Sequence, residues 1–220
     1  MKRYLSITAL IAATAGGTGF WMSQQTAPAP LPALVGAAQA AAETESAGEI
    51  VEMTLGNPDA KVHVIEYASF TCSHCANFEK TVFPEIRKNY IDGGKISFTF
   101  RDVYFDRYGL WAGMVARCDP MRYFGVQDLV FEDIAAWASG EPAQVADGLR
   151  KIGRKAGLSD EQVNACLQDA GKAESLVAWW EANAREHDIN STPSFIINGE
   201  KYPNMSYADF AKVLDEKLAE

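Results

Sequence analysis

The sequence predicts an α/β fold in which a single sheet is interrupted by a helical insertion, and three observations carry that prediction. First, the mostly apolar, β-branched run Val62-His63-Val64-Ile65-Glu66-Tyr67 leads into Phe70-Thr71-Cys72-Ser73-His74-Cys75 and then an amphipathic pattern. A period-two run from Lys95 to Arg101 completes a strand, helix, strand unit, which implies a right-handed parallel crossover. Second, residues of the stretch 106–186 read as helices. Third, sheet returns at Ser194 to Tyr202, folded about an Asn198-Gly199 hairpin turn.

The chain opens with Met1-Lys2-Arg3-Tyr4 followed by a weakly apolar stretch, so residues 1–23 read as an export signal or an N-terminal membrane anchor. Ala38-Gln39-Ala40 has the small-x-small form of a cleavage site but stands well beyond the apolar run. Residues 24–47, rich in Ala and Pro, read as a tether, and residues 48–220 as the folded domain. Either reading of the leader places that domain outside the cytoplasm, in a bacterial envelope where disulfides persist. All 29 acidic residues lie in 43–220, against 18 of the 20 Lys and Arg, leaving that part 11 negative charges in excess. An acidic body disfavours nucleic acid and anionic lipid as partners and favours solubility.

Within the domain, Gly48 to Met53 is expected as a short edge strand, Asn57-Pro58-Asp59 as a turn and Val62 to Ala68 as the central strand. Cys75, Phe78, Val82, Phe83, Ile86 and Tyr90 recur at three and four, giving a helix that Pro84 should kink and Asp92-Gly93-Gly94 should end. In the insertion the expected helices are Leu110–Cys118, Asp128–Trp137, Ala143–Ala156, Ser159–Ala170 and Ala173–Ala184, with Ser159-x-x-Gln162 a capping box. Trp111, Trp137, Trp179 and Trp180 fall here and are read as packing. A last helix, capped by Ser206, turns Phe210, Val213, Leu214 and Leu218 inward.

Cys72-x-x-Cys75 at a strand-to-helix junction is a redox motif. Its sulfurs stand at i and i+3 on one helix face, close enough to bond, and the unpaired N–H groups of the first turn favour a thiolate at Cys72. A structural zinc would need four ligands, and Cys118 and Cys166 lie singly in unrelated helical patterns, so no metal is expected. An inert staple is a poor alternative, because a four-residue loop constrains the unfolded chain very little.

This order of elements, with Phe70-Thr71-Cys72-Ser73-His74-Cys75 and with Ser191-Thr192-Pro193-Ser194-Phe195 entering the hairpin, resembles the DsbA-like thiol:disulfide oxidoreductases of the thioredoxin superfamily. The likeness extends over nearly all of Glu49 to Glu220. It implies a thioredoxin-like fold with a helical insertion domain, Cys72 as the exposed attacking sulfur, Cys75 as its buried partner, and Thr192-Pro193 as a cis-proline loop facing them. His74 would donate to the Cys72 thiolate and make the disulfide oxidising. Ser73 stands where the family more often has proline, which leaves the poise open between an oxidase and an isomerase or reductase of the envelope. Glu66 either lies beneath the redox pair as the proton shuttle of Cys75 or sits on a partly exposed strand. Phe70 and Phe195 line a peptide groove or fill the core, and His63 and His187 are left at the surface.

The implied reaction is donation of the Cys72–Cys75 disulfide to unfolded exported proteins through a mixed disulfide at Cys72. The implied recycling partner is a membrane quinone reductase of the DsbB type, and a monomer is expected; a thiol-bearing chaperone or metal carrier using the same site is the other class of reading. No flavin or nucleotide motif is present, so no cofactor is expected. In an oxidising compartment the remaining cysteines, Cys118 and Cys166, are read as a structural disulfide worth on the order of 4 kcal/mol by the chain-entropy argument. Two buried thiols or a second redox pair are the alternatives.

Overall fold

Residues 50–220 are described by the computed structural model, so the expected leader (1–23), the expected tether (24–47) and the first two residues of the expected domain lie outside the described residues. Strand β2 (Val62–Ala68) is the middle of five strands ordered β1-β3-β2-β4-β5. Strand β3 (Ile96–Asp102) runs parallel beside it; β1 (Met53–Gly56), β4 (Ser194–Ile197) and β5 (Glu200–Pro203) are antiparallel to their neighbours. Parallel neighbours need a crossover, and the chain between β2 and β3 supplies it as helix α1 (Ser73–Thr81), the short helix α2 (Phe83–Ile86) and a π-helical turn, Arg87–Ile91. The kink expected at Pro84 is a break: α1 ends at Val82, and α2 restarts with Pro84 in its first turn, where a missing N–H breaks no helical bond.

The first strand lies later than expected. The run Gly48 to Met53 reads as strand because Ile50 is apolar, but pairing begins only at Met53, opposite Phe100, and continues to Gly56, whose φ of +85° ends it. Ile50 is buried without joining the sheet.

Between β3 and β4 stand α3 (Arg107–Ala116), a 3₁₀ turn (Pro120–Arg122), α4 (Tyr123–Glu132), α5 (Ile134–Trp137), α6 (Pro142–Lys155), α7 (Asp160–Gln168) and α8 (Ala170–Glu186). The helix expected over Asp128–Trp137 is two helices, because Asp133 accepts from Ala136 N and caps a new start. Its true beginning, Tyr123, follows a turn opened by Asp119 and Pro120. The capping box at Ser159 is formed in both directions, Gln162 N to Ser159 Oγ at 3.2 Å and Ser159 N to Gln162 Oε1 at 2.8 Å. Cys118 and Cys166 are disulfide-bonded across the insertion, with Cα atoms 5.8 Å apart.

One face of the sheet buries Val62, Val64, Ile96, Phe98, Phe195 and Ile197 against Phe78, Phe83, Ile86 and the inward residues of α9 (Tyr207–Ala219), Phe210 and Leu214. A second cluster joins Phe70 and Phe100 to α3, α4 and α6 of the insertion. The tryptophans are packing residues: Trp137 is buried and donates to Val130 O, while Trp111, Trp179 and Trp180 are half-buried around Met114 and Leu176. At the β4–β5 turn Asn198 and Gly199 take φ of +46° and +84°, the pair of left-handed residues a tight hairpin demands.

A buried polar knot ties sheet to insertion. Asp102, at the end of β3, accepts from Arg117 Nε at 2.6 Å, Tyr104 Oη at 2.7 Å and Tyr123 Oη at 2.5 Å, and is wholly buried. Burial pulls the Arg117 guanidinium toward neutrality, but the Asp102 carboxylate more than offsets this and holds it charged. Arg117 also donates to Val51 O and stacks on Trp179.

Candidate functional site

Cys72 is the residue at which β-structure becomes helix. It caps α1 with extended backbone (φ −87°, ψ 117°), and so its sulfur is left over the free N–H groups of the first turn. Cys75, one turn on, is buried. Both are free thiols, and their environments drive them apart. The Cys75 thiol donates to the Cys72 sulfur, the Thr192 side chain adds to this, and the main-chain N–H groups of Cys75 and His74 point at it; together these outweigh the partial burial and bring the Cys72 pKa down to about 5. Burial pushes the Cys75 thiol far up, and its bond to Cys72 and the nearby Glu66 carboxylate push the same way.

The loop before β4 closes the other side of the sulfur. The Thr192-Pro193 peptide bond is cis, and the Thr192 carbonyl stands 3.5 Å from Cys72 Sγ, accepting from it while it is a thiol. The resemblance placed the His74 imidazole against the sulfur; in the structure His74 is exposed, and the group it directs at Cys72 is its main-chain N–H. Ser73 is likewise exposed and is not among the groups that hold the sulfur. Both side chains follow from their place on the first turn, which points them away from the sheet.

Glu66 is fully buried in the middle of β2, paired in register with Phe100 and Phe195, so the partly exposed alternative does not hold. Neither of its oxygens has a hydrogen-bond partner. Burial, then the charge of Glu79, raises its pKa well above the carboxylate range. Glu79 is itself raised to about 8, chiefly by burial, and accepts from Gln127 Nε2 at 3.0 Å. Sequence reading missed Glu79 and Gln127. Glu79 sits at Cys75+4, on the same helix face, and that spacing was the available signal.

Three expectations fall elsewhere. Phe70 and Phe195 are fully buried and belong to the core, so they offer no groove surface. His187 is not a plain surface residue: its Nδ1 lies 2.6 Å from the hydroxyl of buried Tyr67, and burial lowers its pKa. His63 is exposed as expected, its Nδ1 2.6 Å from Ser97 Oγ.

Comparisons with known proteins converge on the same fold. The family model described as Thioredoxin matches residues 49–216. The alpha-DsbA1 structure of Wolbachia pipientis superposes with a TM-score of 0.69 at 30% identity, covering 76% of this chain and 91% of that one. The disulfide bond formation protein D of Bacillus subtilis is 27% identical over 171 residues, 74% of this chain and 75% of that protein. A Rickettsia bellii chain bearing a protein-disulfide oxidoreductase name is 32% identical over 171 residues, 77% of this chain. This chain spans 65% of that relative's length, just under two thirds. With the family match covering most of its length and the alpha-DsbA1 likeness nearly all of a solved relative, the chain belongs to the thioredoxin family, among its DsbA-like members.

Proposed function

We propose that this protein donates the Cys72–Cys75 disulfide to unfolded exported polypeptides and works outside the cytoplasm, in the periplasm, either free after signal cleavage or tethered by its N-terminal segment. The observation that carries the reading is the contrast between the sulfurs: one accessible and acidic, its partner buried and held as a thiol. In the oxidised protein a substrate thiolate attacks Cys72 Sγ, the S–S bond breaks, and a mixed disulfide forms. The electron pair goes to Cys75, whose buried site disfavours an anion, so a proton must reach it. Glu66, whose burial favours the protonated form and which is close enough to act on Cys75, is the group we assign to supply that proton, with Glu79 beside it. A second substrate thiolate then attacks its own sulfur in the mixed disulfide, and Cys72 leaves as the thiolate that the helix start and Thr192 stabilise. The substrate has lost two electrons and the cysteine pair has gained them. Recycling falls to a membrane quinone reductase of the DsbB type.

A chaperone or metal carrier would bind through this site without exchange, and a trapping experiment separates the two. Cys75→Ser, incubated with a disulfide-bearing polypeptide, is expected to accumulate a thiol-reducible adduct at Cys72 by mass, and Cys72→Ser to accumulate none. Absence of the adduct in Cys75→Ser would reject exchange through Cys72.

A further inference from the structure

One carboxylate of the insertion reaches the residue that precedes the reactive cysteine. Asp106 caps α3, with Oδ1 accepting from Tyr108 N at 2.8 Å and Gly109 N at 2.9 Å. Its second oxygen, Oδ2, accepts from Thr71 Oγ1 at 2.5 Å. Thr71 is tied further into the same turn: its hydroxyl lies 3.1 Å from Ser69 Oγ, its N–H donates to Ser69 Oγ at 3.4 Å, and Cys72 N donates to Ser69 O at 3.0 Å. The turn that sets the direction of Cys72 is therefore bonded, through one hydroxyl, to a helix of the insertion.

We propose that Asp106, acting through Thr71, is a positioning residue for Cys72: the insertion helix α3 holds the Ser69–Cys72 turn so that the sulfur stands beneath its donors. The thiolate is held by groups on α1 and on the Thr192 loop, and all of them must meet a sulfur whose direction the preceding turn decides. Releasing Thr71 lets that turn move relative to both. This rests on the reading of Cys72 as the reacting thiolate but not on any particular substrate or direction of electron flow.

A positioning role and a purely electrostatic role have opposite signs. As a nearby negative charge Asp106 would disfavour the thiolate, so its removal would lower the Cys72 pKa. As a positioning group its removal must raise it. Three variants of the full chain separate these: Thr71→Val, which removes only the hydroxyl; Asp106→Ser, which still caps α3 but is too short to reach Thr71; and Thr71→Ser, which keeps a hydroxyl. The reading is the pH profile of alkylation of Cys72 by iodoacetamide in the reduced protein, with thermal unfolding of each variant showing that it is folded. Thr71→Val and Asp106→Ser are expected to move the profile up by about one pH unit, about fivefold less thiolate at pH 5 and about tenfold less at pH 4, and Thr71→Ser to retain the parent profile. An unmoved profile in Thr71→Val, or an unmoved or lowered one in Asp106→Ser, would overturn the proposal. A Cys72 that alkylates as an ordinary thiol in the parent protein would instead remove the functional reading beneath it.

Discussion

Replacing Asp102 by alanine is expected to destabilise the fold by about 3–5 kcal/mol, the cost of leaving one partner of a buried ion pair without the other. The effect is large because Asp102 has several dependants. Its loss strands the Arg117 guanidinium, wholly surrounded by protein, and the hydroxyls of Tyr104 and Tyr123, which donate to it. Those groups come from the end of β3, from the end of α3 and from α4, so the damage falls on the seam between sheet and insertion. Tyr123→Phe is the graded control: it removes one hydrogen bond to a charged group and leaves the ion pair, so about 1.5–3 kcal/mol is expected. Denaturant unfolding followed by fluorescence and circular dichroism measures both. A cost for Asp102→Ala below that of Tyr123→Phe would mean that the ion pair does not hold the seam.

The melting temperature of the reduced protein relative to the oxidised protein is expected to fall as the pH is lowered from neutral into acid. Cys72 has a folded pKa of about 5 against roughly 8.5 for a thiol in an unfolded chain. A group whose folded pKa is depressed stabilises the folded state fully above the unfolded value, and that contribution is lost as pH falls through the folded value. The stabilisation therefore grows from about pH 5 to about pH 8.5 in the reduced chain and has no counterpart in the oxidised one. Above about pH 8.5 Cys75 acts with the opposite sign, because burial keeps it a thiol in the fold while the unfolded chain ionises. The disulfide itself closes a four-residue loop, which by the chain-entropy argument stabilises the oxidised form by about 2 kcal/mol at every pH, so the change of the gap with pH isolates the thiolate. Solvent around the part-exposed Cys72 screens some of the effect, so a shift of the gap on the order of 4 °C between pH 4 and pH 7 is expected, the response of a domain this size to about 1–2 kcal/mol. Calorimetry of both redox forms from pH 4 to 9 tests it; a gap that does not change with pH would show that Cys72 gains nothing as a thiolate on folding.

Much of this architecture was legible in the sequence because it rests on local patterns. The β-branched run of β2, the period-two run of β3, the capping box at Ser159 and the Asn198-Gly199 turn each carry their own physical signal, and each element stands where that signal placed it. The misplacements have local causes too: pairing with β3 rather than apolar content decided where β1 begins, and Asp133 reads as a mid-helix acid until its side chain is seen to cap. The Cys-x-x-Cys motif was equally plain, as Cys72 and Cys75 stand three apart within four consecutive residues. What surrounds it was not. Glu79, Thr71 and Asp106 come from three segments, and only the fold shows that the first adjoins Glu66 and that the other two bond each other beside the sulfur. The imidazole of His74 is the reverse case: its motif position suggested a donor, but the helix start turns the side chain outward and offers the main-chain N–H instead.

The central claim, that stabilising the Cys72 thiolate makes this couple a disulfide donor, is tested most directly by its reduction potential. The measurement is the fraction of reduced Cys72–Cys75 at equilibrium with defined ratios of reduced and oxidised glutathione, read by mass after alkylation. The account expects a potential less negative than the glutathione poise of roughly −220 to −260 mV, in the range where protein oxidants and isomerases lie. A value near that of thioredoxin, about −270 mV, would contradict it and make the protein a reductase.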